Sequence, residues 1–135
     1  MLKKVMLATV LAALCFTGTA GAQQQPPAAP SPITRTVLQK QEFPGSQYAT
    51  YLVKIDIVPN GAVGKHNHPG IEMGTVIAGE TDLTVEGKAA QHLKVGDSYS
   101  IPAGVPHSAT AGPQGSSLIA AFVVDKDKPL ASPVP

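Results

Sequence analysis

Turn residues recur along the middle of this chain at intervals of roughly ten positions, and that spacing limits what can form between them. Pro59-Asn60-Gly61, Pro69-Gly70, Gly79-Glu80, Glu86-Gly87, Gly96-Asp97 and Pro102-Ala103-Gly104 divide it into short runs. Glycine supplies positive φ without steric cost, and proline presets φ for a turn. No run of useful length repeats apolar residues at helical spacing. Period-two alternation appears instead. Tyr51 to Val58 sets Val53, Ile55 and Ile57 against Lys54 and Asp56. Thr81 to Glu86 sets Leu83 and Val85 against Asp82, Thr84 and Glu86. Leu118 to Val124 is apolar on both faces, which reads as a strand covered on both sides. Short strands at this spacing predict an all-β sandwich or barrel.

The charge balance removes other classes. Ten Lys+Arg against nine Asp+Glu give a formal net charge of +1, which argues against a nucleic-acid partner. With 43% hydrophobic and 14% charged residues, the chain is not composed like a disordered one. Its first residues read as an export signal. Lys3 and Lys4 precede the apolar run Val5 to Phe16, and Ala20-Gly21-Ala22 offers small residues for cleavage. The run is too short to cross a membrane, so residues 1–22 are expected to be a Sec-type signal peptide, not an anchor. The single cysteine, Cys15, would leave with it, and the bulky Leu14 before it departs from a lipoprotein signal. The expected location is secreted or periplasmic, with no membrane contact after cleavage. Residues 23–35 contain the stretch QQQPPAAPSP and read as a Pro-rich linker. The folded unit is expected over 36–127, and 128–135 (KPLASPVP) reads as a Pro-rich tail, loose or laid on the surface.

Three of the four histidines fall into one pattern. His66 and His68 are two apart, so on a strand they share a face, with Cα atoms about 6.6 Å apart. Glu72 follows a Pro-Gly turn and shares its face with Gly74 and Val76. A carboxylate facing inward there is costly unless paired or bound to a metal. His107 lies beyond Pro102-Ala103-Gly104 and shares its face with Ala109 and Ala111. Two or three histidines with one carboxylate form a donor set that leaves coordination positions open on a transition metal.

These residues sit in two motifs, GAVGKHNHPGIEMGTVIAG over 61–79 and GDSYSIPAGVPH over 96–107. Together they resemble the cupins. The likeness runs from about Val53 to Val124 and is closest to small, exported, single-domain members. It implies a single jelly-roll β-barrel with His66, His68, Glu72 and His107 as its metal ligands. There are two departures. Asn60 stands where the first motif usually begins with glycine, and Ala111 stands where an asparagine often follows the second motif. Asn tolerates a left-handed turn, and the later asparagine is not a ligand, so the metal set is untouched.

The resemblance implies one divalent transition metal ion (Zn, Cu, Ni, Mn or Fe) and a small-molecule substrate or ligand. Dioxygenase-like oxidation is the favoured reaction, with Glu72 able to pass between ligand and general base. A non-enzymatic metal or small-ligand binder or sensor is the alternative, and an isomerase or lyase is another. The remaining candidates read as ordinary. His92 lies outside both motifs and is expected to face solvent. Tyr48, Tyr51, Tyr99 and Phe43 could line a pocket or pack the core. Met73 alternates away from Glu72. Arg35, the only arginine, reads as a solvated charge at the edge of the fold. A homodimer is one way to cover the edge strands of such a barrel.

Overall fold

The computed structural model describes residues 31–135. The expected signal peptide and residues 23–30 of the expected linker lie outside the described residues. Eight strands follow in order: β1 (Ile33–Glu42), β2 (Tyr48–Ile57), β3 (Ala62–Asn67), β4 (Gly70–Val85), β5 (Gln91–Lys94), β6 (Ser98–Ile101), β7 (His107–Asp125) and β8 (Ser132–Pro133). Among the described residues there is no helix, and every strand pairing is antiparallel. The expected all-β jelly-roll fold is present.

Two long strands organise it. The first half of β4 pairs with the second half of β7 on one side and with β6 on the other. The second half of β4 pairs with the first half of β7 and with β5. The register slips between Val76 and Ala78 and again between Gly79 and Thr81. Slips of this kind bend a strand and increase its twist. Gly79 has φ 68° at this corner, and a Cβ there would collide with the Gly115 carbonyl. The expected turn at Gly79-Glu80 is therefore a bend inside one continuous strand, not a chain reversal. Asn60 adopts φ 55°, so it fills the left-handed position in place of glycine.

Alternate residues point inward from both layers. Val53, Ile55, Ile57, Val76, Leu83, Val85, Leu118, Ala120, Phe122 and Val124 form the buried core. Burying a side chain such as Phe122 contributes about 1.5–3 kcal/mol. The expectation for Leu118 to Val124 needs correction. Ile119, Ala121 and Val123 on its outer face are half-buried, while Leu118, Ala120, Phe122 and Val124 are buried, so the strand alternates like a one-sided one.

The ends differ from expectation as well. β1 begins at Ile33, inside the residues read as linker, and pairs with β2 from Ile33↔Ile57 onward. The tail is not outside the barrel. β8 pairs with β3 at His66↔Pro133 and Asn67↔Ser132, Val134 donates to the Lys65 carbonyl at 3.1 Å, and Leu130 packs against the core. Local proline content hid a strand that needs only its partner to form.

Candidate metal centre

β3 carries His66, the turn after it carries His68, β4 carries Glu72 as its third residue, and β7 opens with His107. Cross-strand register brings them together. His66 pairs with His107, and Glu72 pairs with Phe122, whose ring lies edge-on to His68 at 4.9 Å. The imidazole centroids are 4.2 Å apart for His66–His107 and 5.0 Å for both pairs with His68. One ring nitrogen from each lies within 4.8 Å of the other two. His68, Glu72 and His107 are buried and His66 is half-buried.

The backbone orients every ring. His66 Nδ1 bonds the Gly64 carbonyl at 2.8 Å, His68 Nδ1 the Leu130 carbonyl at 2.5 Å, and His107 Nδ1 the Val105 carbonyl at 3.0 Å. A carbonyl only accepts, so each Nδ1 carries the proton and each Nε2 of a neutral ring presents a lone pair. Glu72 Oε2 lies 2.9 Å from His68 Nε2 and 3.5 Å from His107 Nε2. Neither of these buried Nε2 atoms makes a directed hydrogen bond. Lone pairs facing a carboxylate oxygen repel it unless a cation stands between them. The donor set therefore fits a divalent transition metal, held by His66, His68 and His107 with Glu72 beside them. The three-histidine cluster closes without Glu72, which of the three rings faces His68 and His107.

The second carboxylate oxygen is also held. The Tyr99 hydroxyl donates to Glu72 Oε1 at 2.7 Å in a buried setting. Tyr99 pairs with Gly74, and a Cβ on Gly74 would stand 2.5 Å from the Tyr99 hydroxyl oxygen. The missing side chain is what lets the phenol cross to Glu72. Burial alone would raise the Glu72 pKa; in the metal-free chain a proton on His107 or His68 Nε2, together with the Tyr99 hydroxyl, holds it down to about 2. Burial lowers His66 to about 4, so it is neutral at physiological pH. Burial, and then the charge of Glu72, push Tyr99 well above its ordinary value, so it stays a donor.

The cluster lies in a cavity of about 40 Å³, the room of a few waters. Ile33, Ile55, Ile57, Leu118 and Phe122 are among its walls, and Ala109 lines it as the alternation suggested. Of the four aromatic candidates only Tyr99 reaches the site. Tyr51 packs against the core, and Phe43 and Tyr48 are exposed. Met73 faces outward, and His92 is exposed beside Asp82 and Glu80, both as expected. Two contributors were not foreseen. The Leu130 carbonyl carries no side-chain signal. Arg35 is exposed on the edge strand β1, as expected, but it also lines the cavity. The alternation Ile33-Thr34-Arg35 could have placed it on the inner face.

Comparison with known proteins agrees with this fold. The cupin domain model of the Cupin_2 family matches residues 53–119. Over 41 residues the chain is 51% identical to the HTH-type transcriptional regulator PuuR of Escherichia coli, covering 30% of this chain and 22% of the regulator. An RmlC-like cupin from Shewanella frigidimarina superposes with TM-score 0.58 at 24% identity, over 81% of this chain and 91% of that one. Oxalate oxidase bound to the substrate analogue glycolate superposes with TM-score 0.60 at 20% identity, over 80% of this chain and 63% of that one. Identities this low in the solved structures carry the fold and not the activity. Matched motifs, fold and converging histidines together make this chain a member of the cupin superfamily.

Proposed function

We propose that this chain is an exported metal-dependent enzyme that oxidises a small organic molecule at His66, His68, His107 and Glu72. One observation carries the reading: two buried Nε2 lone pairs face a carboxylate with no directed partner, in an apolar cavity. A bound transition metal would supply Lewis acidity and, if redox-active, dioxygen chemistry. The chain's own residues account for the rest. The carbonyls of Gly64, Leu130 and Val105 fix the three rings. Glu72, ionised at working pH, can accept a proton from a substrate hydroxyl, and Tyr99 keeps it aimed. The apolar walls exclude water and strengthen each charge interaction inside. Export to the periplasm or beyond rests on the sequence of residues 1–22. A homodimer is also part of the proposal, with β1, which among the described residues pairs only with β2, as the edge it would use.

The test is dioxygen uptake by the metal-loaded chain with catechol, flavonol and enediol substrates. Turnover that is lost in Glu72→Gln, with folding retained, supports the proposal. No turnover of any of these substrates counts against it. The likeness to a transcriptional regulator favours a second reading, a ligand-binding or sensor module. Saturable ligand binding without turnover would select that reading.

A further inference from the structure

Arg35 occupies an inward-facing position that the metal site does not explain. In β1 it lies opposite Ile55, Ile55 lies opposite Leu118, and Leu118 lies opposite Val76. Residues directly opposite one another on antiparallel strands share a face. The other three members of this row are buried core residues. Thr34 and Thr36, opposite Asp56 and Lys54, take the outer face. An arginine thus stands where the pattern calls for an aliphatic side chain.

Its surroundings place it at an entrance. Arg35 and His66 line both the inner cavity and a wider groove outside it, which Lys65 and Pro133 also line. Arg35 is solvent-accessible there, yet partial burial lowers its pKa, and the charge of Glu72 opposes that shift. Glu72 does not pair with it: Oε1 accepts from Tyr99, and Oε2 faces the Nε2 atoms of His68 and His107. Among the described residues Arg35 has no hydrogen-bond or ion-pair partner. An exposed guanidinium at the mouth, with five donors and no protein partner, is free to receive an anion.

We propose that Arg35 is the anion-recognition residue of this cavity, and that the ligand is a small organic carboxylate. Its carboxylate meets the guanidinium at the mouth, and its remaining atoms lie in the apolar cavity towards the histidines. A planar carboxylate matches the guanidinium fork with two parallel hydrogen bonds. The small cavity limits the rest of the ligand to a few atoms. The proposal deepens the enzyme reading and rests on it only for the metal at the inner end.

The test is titration of the zinc-loaded chain with lactate and with its neutral amide, lactamide, followed by NMR, after zinc content is measured. Lactate is expected to bind at least tenfold more tightly than lactamide. Arg35→Gln should remove that preference while zinc content and melting temperature stay at wild-type values. Arg35→Lys should restore part of it, because the charge returns without the fork. Equal affinity for acid and amide, no saturable binding of lactate, or undiminished preference in Arg35→Gln would each overturn the proposal. Should the chain hold no zinc, the metal reading fails on its own. The same titration of the metal-free chain then decides the role of Arg35 by the same outcomes.

Discussion

β3, β4 and β7, with the turn after β3, carry all four ligand candidates, and β1 and β8 at the ends of the strand order carry none. The flanking strands nevertheless shape the site. Leu130, just before β8, holds the ring of His68 through its backbone carbonyl, and β1 brings Arg35 to the mouth of the cavity. The inner strands provide donors, and the outer ones provide orientation and access. The comparison teaches that a candidate metal site built from unmistakable residue types can depend on segments with no distinctive residues at all.

The sharpest way to break that division is to remove residues 128–135. The core strands remain, but His68 loses its carbonyl partner and β3 loses β8. Outer partners of metal-bound histidines are worth about 10–100-fold in affinity, and a loss of that size is expected in competition with a chromogenic chelator. Leu130→Ala keeps the carbonyl and should lose far less. Equal losses in the two variants would show that packing, not the hydrogen bond, matters.

Tyr99→Phe tests the inner strands. It leaves Glu72 Oε1 buried without its donor, at a cost of about 1–3 kcal/mol in urea unfolding. Tyr48→Phe, on the exposed surface, should stay within about 0.5 kcal/mol. A similar loss in both would remove Tyr99 from the site.

Acid should weaken the metal-free chain in two windows. The folded pKa of His66 is about 4 against an ordinary 6.5, so the unfolded chain takes up a proton that the folded chain refuses. Stability falls as pH drops from about 6.5 to 4. Glu72, held at about 2 against 4.5, adds a second loss between those values. His66→Gln should remove the first window and leave the second. The smallest effect belongs to His92, exposed beside Asp82 and Glu80, whose pKa is raised by the Asp82 hydrogen bond. It stabilises fully below its unfolded pKa, and the contribution is lost as pH rises through its folded one. His92→Ala should flatten that slight dependence without changing metal affinity.

The residues differ in how far they can be read without a structure. His66, His68, Glu72 and His107 announce themselves because few other residue types bind metal and their spacing matches strand periodicity. Tyr99 was visible only as a pocket or core aromatic, since its reach to Glu72 depends on a missing side chain at Gly74 on the neighbouring strand. The corner at Gly79 was visible as a glycine, but its character as a bend within β4 depends on long-range pairing with β7. β8 was hidden by its proline content, and the Leu130 carbonyl is a group every residue possesses. Chemistry that depends on side-chain identity was legible, and chemistry that depends on register was not.

The central claim is that this cupin holds a transition metal at His66, His68, Glu72 and His107. Elemental mass spectrometry of the chain purified from its own compartment, beside a His66→Ala/His68→Ala double variant, tests it most directly. About one metal ion per chain in the first, and none in the second, is the predicted result. No metal in either, with equal stability, would contradict it.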